Sequence, residues 1–168
     1  MSNNQQHTDI KRFKKTFFNK HNVEVYVFTP EQNEYMLSLA TLKKCAYNAF
    51  VQNNPKYKYI ESMASRVRYR EFQIYYQSMS HIAYLSGHKK TNIGKSINKN
   101  HASIINAVRM VENAFFCKDR EMIGAYKQIL KEIIKDVGTI PENIKRKIDS
   151  QPNSNLVWDE EQNSVTTI

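Results

Sequence analysis

The 168-residue chain holds only two cysteines, four glycines and four prolines. Cys45 and Cys117 are too few and too far apart for a disulfide framework or a CxxC metal site, and both are expected as reduced, buried small hydrophobes. A Gly-rich phosphate loop is missing: GxxxxGK(S/T) does not occur, so neither a nucleotide nor another cofactor is expected. No apolar run approaches the roughly 18 residues that a helical membrane span needs, and no membrane partner is expected. The N-terminus, MSNNQQHTD, lacks the apolar core of a signal peptide, which makes the cytoplasm the expected compartment. His7, His21, His81, His88 and His101 show no HxxxH spacing and no accompanying Asp/Glu cluster, so no metal site and no catalytic residues are expected. A nuclease or other enzyme therefore has no motif to stand on. There is no internal repeat.

What is present is positive charge. The formal net charge is +9 and the pI about 9.5, on a background of 40% hydrophobic residues that suits a globular chain of one ordinary domain with tails. Between Lys56 and Ser103, nine basic residues (Lys56, Lys58, Arg66, Arg68, Arg70, Lys89, Lys90, Lys95, Lys99) face only Glu61 and Glu71. After Lys147 no basic residue occurs, and Asp149, Asp159, Glu160 and Glu161 leave the end acidic. Charge polarised along the chain is a common footprint of a nucleic-acid-binding domain, although a solvated lysine-rich surface has the same composition.

Along the chain, residues 1–29 read as an extension: polar to residue 9, basic and aromatic over 10–20, and alternating in NVEVYVF (22–28), the period-two mark of a strand. A lone strand needs a partner. The C-terminal segments NLVWD and SVTTI have the composition for it, and a second copy of the chain, forming a homodimer, is the other source. From Thr29 the pattern becomes helical. TPEQ supplies an N-cap, a first-turn proline and Gln32, predicting a helix from residue 30 to about Asn53. A second helix is predicted over 65–85 with Phe72, Tyr75, Tyr76, Met79, Ile82, Ala83 and Leu85 on its buried side, and a short one over 91–97 with Ile93 and Ile97 one turn apart. NKN at 98–100 makes a turn, and Asn100 can cap the next helix, about 101–115. There Ile104, Ala107, Val108, Val111 and Phe115 share one side at about 100° per residue, with Ala102, Asn106, Arg109 and Asn113 opposite. A last long helix, 119–137, places Met122, Tyr126, Ile129, Leu130, Ile133 and Val137 at helical spacing. A short helix at PENIKRKI, a linker at DSQPNSN and the acidic tail complete residues 139–168.

Two helices joined by a tight turn, the second with small and polar residues at its start, describe a helix-turn-helix over 91–115. A helix N-terminus offers free N–H groups and the positive end of its dipole, which suit phosphate and base edges. Lys99, Asn100, His101, Ala102, Ser103 and, one turn on, Asn106 lie there. Asn can pair bidentately with adenine, Lys and His can donate to guanine or phosphate, and Ala can lie against a thymine methyl. The same spacing also fits a plain helical hairpin whose Asn and Ser are only caps.

TNIGKSINKNHASIINAV resembles the signature in the C-terminal DNA-binding domain of the bacterial replication initiator DnaA: an Ile–Gly pair, a short basic turn, an Asp-His-Thr/Ser-Thr-Val run and an alanine one turn on. The matching residues are Ile93, Gly94, Lys99, His101, Ser103, Ile104 and Ala107. SRVRYREFQ (65–73) is similar to the Arg-rich start of that family's first helix and DREMIGAYKQILKEI (119–133) to its last, so the likeness spans residues 62–137. The resemblance implies a mainly α bundle of the DnaA C-terminal or Trp-repressor kind, residues 30–138, that inserts its second motif helix into the major groove of double-stranded DNA. By that analogy Lys99, Asn100, His101, Ala102 and Ser103 meet bases or nearby phosphates, and Arg66, Arg68 or Arg70 reaches the backbone or minor groove. His88, Lys89 and Lys90, before the first motif helix, and Lys95 on it, are expected phosphate contacts. Asn100 stands where the family has an acid, Ala102 replaces a hydroxyl residue and the turn is one residue shorter, so a target identical to the initiator's own is not expected. Lacking the ATPase module, such a chain suits a transcriptional regulator, an accessory replication factor or a protein of a phage or other mobile element. Two rivals remain. Tyrosines interleaved with basic residues (YKYI, Tyr69, Tyr75, Tyr76) suit an RNA or single-strand binder. A basic face with strand-like ends suits a protein-interaction module.

Overall fold

In the computed structural model, which describes residues 37–154, Leu156–Asp159 and Ser164–Thr167, one helix is buried on nearly every side. The described residues form a mainly helical bundle: α1 (Leu39–Asn53), a 3-10 turn (Pro55–Tyr57), α2 (Arg70–Leu85), α3 (Lys90–Ser96), α4 (His101–Cys117), α5 (Arg120–Val137) and α6 (Glu142–Asp149), then strands β1 (Leu156–Asp159) and β2 (Ser164–Thr167). Helix α2 is the buried one, with eleven of its 16 residues inside, and it packs against α1, α3, α4, α5 and α6. The seven residues predicted for its buried side are all buried.

A helix enclosed all round must also enclose its polar residues, and each needs a partner. Ser80 and Ser86 donate to the carbonyls of Tyr76 and Ile82 at 2.7 and 2.8 Å, one turn back, and Ser78 donates to Met122 Sδ at 3.4 Å. His81 Nδ1 lies 3.0 Å from the Tyr126 hydroxyl, while its Nε2 has no partner among the described protein atoms. Phe115 stands edge-on to Tyr126 beside this pair, with ring centroids 5.2 Å apart.

The boundaries follow the local chemistry. Ser38 is extended and accepts from Thr41 N, so α1 starts at Leu39 rather than running through 37 and 38; the expected Thr29 cap, the stretch at 10–20 and the strand at 22–28 lie outside the described residues. Residues 65–69 were expected in α2 but precede it: Val67 is half-buried between exposed Arg66 and Arg68, an alternation of extended backbone. Gly87 at φ 95° and Gly138 at φ 93° take up the left-handed backbone after α2 and α5. Asp119 accepts from the N–H groups of Glu121 and Met122 and so starts α5.

Three further expectations are corrected. Val137 is 48% exposed, because α5 has run past the core by its last residue. Cys117 is exposed at the end of α4, whereas Cys45 is buried, which pushes its thiol up to about 12. The short helix expected at PENIKRKI is α6, with Ile140, Ile144 and Ile148 in the common core, whereas residues 149–154 are not merely a linker, since Asn153 Nδ2 donates to the Phe116 carbonyl at 3.2 Å. The two C-terminal strands pair with each other, antiparallel with Leu156 opposite Thr167, and β2 runs beside α5.

Burial holds the His81 imidazole well below its ordinary value of 6.5, at about 4. The unfolded chain takes up this proton as pH falls through 6.5 and the folded chain refuses it until about 4, so stability is lost across that window on acidification. Urea unfolding is expected to show a loss of up to about 3 kcal/mol between those limits. His81→Gln should flatten the profile above pH 5; an unchanged slope would assign the effect to another group.

Candidate nucleic-acid interface

The geometry of this region starts from Gly94. A Cβ built on it would lie 2.6 Å from the Lys99 carbonyl oxygen, closer than real contacts allow, so only glycine lets α3 press against the turn that follows it. The Gly94 carbonyl accepts from Ile97 N at 3.2 Å and Lys99 N at 2.9 Å, and Asn98 takes a left-handed φ of 54°. Ile93, Ile97 and Ile104 are buried on the inner side of the turn. From α1, Lys43 Nζ donates to the Ser96 carbonyl at 3.2 Å and closes the end of α3. Helix α4 therefore begins at a position set by the core.

Its first turn is capped by Asn100, whose Oδ1 accepts from Ser103 N at 2.7 Å and from the Ser103 hydroxyl at 2.8 Å. Beside this cap lies an open groove of about 570 Å³ lined by Arg66, Val67, Arg68, Gln73, Tyr76, Asn98, Lys99 and Ser103. Two side-chain amides hold the extended segment here: Gln73 Nε2 donates to the Val67 carbonyl at 2.7 Å, and Asn98 Nδ2 to the Ala64 carbonyl at 3.5 Å. Lys99 Nζ sits over the Tyr76 ring at 5.3 Å, a cation–π contact that steadies it without neutralising it. Arg66, Arg68 and Lys99 have no carboxylate partner among the described residues, so their charge is available to an anion. His101, Ala102 and Asn106 are exposed on the outer side of α4.

Other expected contacts fall elsewhere. Arg70 donates to Glu121 through Nε at 3.2 Å and its terminal nitrogen at 2.8 Å, so it joins α2 to α5 rather than lining the groove. His88 is buried and its Nε2 donates to the Leu37 carbonyl at 2.7 Å, which makes it a tie to the start of α1 instead of a surface phosphate contact. Lys89 and Lys95 are exposed, at the cap position and in the last turn of α3, and Lys90 Nζ lies over the Tyr84 ring at 4.5 Å. The cap engages the Asn100 acceptor, which leaves only its amide N–H groups for a ligand and removes the bidentate pairing expected of a free Asn. No family model, curated protein or solved structure matches the chain.

Two contributors escape a reading by motif. Asn98 and Gln73 line the groove and hold its far wall, and the alternating Arg-Val-Arg of residues 66–68 is the one sequence signal that an extended basic segment was present. Among the described residues no group of three or more His, Cys, Asp or Glu side chains is placed to hold a metal ion, and no helix is long and apolar enough to cross a membrane.

Gly94→Ala forces its methyl group against the backbone of the turn. The variant is expected to lose about 1–3 kcal/mol in denaturant unfolding, the usual scale of overpacking. A loss no larger than that of Gly124→Ala, where nothing lies within 4 Å of the added Cβ, would show that the close approach is not limiting.

Proposed function

We propose that the protein binds double-stranded DNA, with α3 and α4 acting as a helix-turn-helix and the first turns of α4 in the major groove. The observation that carries the reading is the convergence of Arg66, Arg68 and Lys99, unpaired by any described carboxylate, on a groove beside the capped start of a 17-residue helix. Phosphates would lie along that groove, where cations give sequence-independent affinity through counterion release. His101, Ala102 and Asn106, short or planar side chains on the exposed face, would meet base edges. Ser103 and Asn100 would serve mainly to hold the helix start.

The likeness of TNIGKSINKNHASIINAV to the DnaA C-terminal domain supports the same orientation, and the structure adds a reason for two of the matching residues: Gly94 permits the turn, and Ile104 is buried beneath it. On this reading the chain is a DNA-binding module serving transcriptional regulation or replication initiation, with a phage or other mobile element as one source.

A binding selection on random duplex DNA tests the proposal, and a recovered motif is the expected result; an inverted repeat among the sites would indicate a homodimer. Arg66→Ala with Arg68→Ala should weaken all duplexes alike and reduce the salt slope by about two, close to one for each phosphate that an arginine neutralises. His101→Ala with Asn106→Ala should instead relax the motif, at about 1–3 kcal/mol for each base that the original side chain reads. If the second pair leaves the selected motif unchanged, α4 is not the reading helix.

A further inference from the structure

Three aromatic rings form a column that leads from the core to the surface at Tyr69, the residue after Arg68 of the basic groove. Phe50, fully buried in α1, lies 5.8 Å from Tyr57 at 11°, and Tyr57 lies 4.8 Å from Tyr69 at 17°. The outermost ring, Tyr69, is 43% exposed, and no ring covers its second face among the described residues. Tyr59, 64% exposed, closes the side: its hydroxyl donates to the Tyr69 hydroxyl at 3.0 Å, and its ring meets Tyr57 edge-on at 6.2 Å. That hydrogen bond pushes the Tyr59 phenol up to about 12. Folding ordinarily buries such rings, and here the ordered column ends at solvent.

Position decides what would cover it. Tyr69 directly follows Arg68, which lines the groove with Arg66 and Lys99. A partner that satisfied both features would carry a phosphate every few ångströms and a flat ring able to continue a parallel stack. Within a duplex the ring faces are already stacked on their neighbours, so a base free to meet Tyr69 must be unpaired. A peptide of acidic residues would match the cations but supply no flat ring.

We propose that Tyr69, braced by Tyr57 and Tyr59, is a stacking platform for an unpaired base of a DNA strand whose phosphates run through the Arg66–Lys99 groove. This rests on the duplex-binding reading and extends it: the preferred ligand is a junction between double-stranded and single-stranded DNA. The interface then has two parts, a helix that reads the paired region and a ring that holds the first base beyond it.

Fluorescence anisotropy with the full chain tests this using one duplex that is blunt, carries a short thymidine tail of either polarity, or carries the same tails made abasic, beside a free thymidine strand. A thymidine tail of one polarity is expected to tighten binding about tenfold, the scale of one base stacked on an aromatic ring, and the abasic tail to give no gain. Tyr69→Phe should keep the gain and Tyr69→Leu should lose it, while both bind the blunt duplex as the unmodified protein does and melt within a few degrees of it. Equal affinity for tailed and blunt duplexes, or a gain that survives Tyr69→Leu, overturns the platform and leaves the duplex reading intact. Binding of a free thymidine strand but of no duplex, lost in Tyr69→Leu, would keep the platform and overturn the duplex reading. Binding of no DNA in any form overturns both.

Discussion

The close approach of Gly94 to the Lys99 carbonyl governs the placement of α4 and of the groove beside it. Without a side chain at residue 94 the backbone of α3 can lie on the turn, and two hydrogen bonds to the Gly94 carbonyl shape that turn. Burial of Ile93, Ile97 and Ile104 then locks both helices to α2. The direction of α4, the placement of its cap and the position of Lys99 over Tyr76 all follow from that contact. A larger residue at 94 would shift each of them at once, because protein interiors respond to an added methyl by moving neighbours rather than by compressing them.

Much of the helical framework was legible in the sequence, for a physical reason. The buried faces of α2 and α4 repeat at helical spacing, and Asn100 is a residue whose chemistry favours the start of a helix. Every residue predicted for the apolar side of α4 is buried. Errors collected where tertiary contact outweighs local pattern. Residues 65–69 have no helix breaker, yet they stay outside α2, where Gln73 takes up the Val67 carbonyl and Asn98 the Ala64 carbonyl just before them. Asn153, by contrast, lies in a segment with the composition of a linker, and its hydrogen bonds to the Phe115 and Phe116 carbonyls tie that segment to the end of α4.

The candidate site was legible in outline and not in the partition of roles. A histidine beside two lysines has the composition of a phosphate contact, but His88 is turned inward by one hydrogen bond to Leu37, a partner fifty-one residues away. Three arginines at alternate positions look equivalent, yet Glu121, from α5, removes Arg70 from the set and leaves Arg66 and Arg68 unpaired. The stacked tyrosines were visible as composition only. Their near-parallel geometry depends on the 3-10 turn at Pro55–Tyr57 bringing Tyr57 between Phe50 and Tyr69.

The two walls of the groove come from separate stretches of chain. Arg66 and Arg68 belong to an extended segment held by two side-chain amides, whereas Lys99 and Ser103 belong to a turn and helix held by the core. Mutation can therefore reach them independently. On the DNA-binding proposal, changes at Arg66 and Arg68 would alter general attraction to a polyanion, and changes on the outer face of α4 would alter selectivity. On that proposal, a lineage carrying this fold would retune how tightly it holds its ligand and which ligand it prefers as two nearly separate traits.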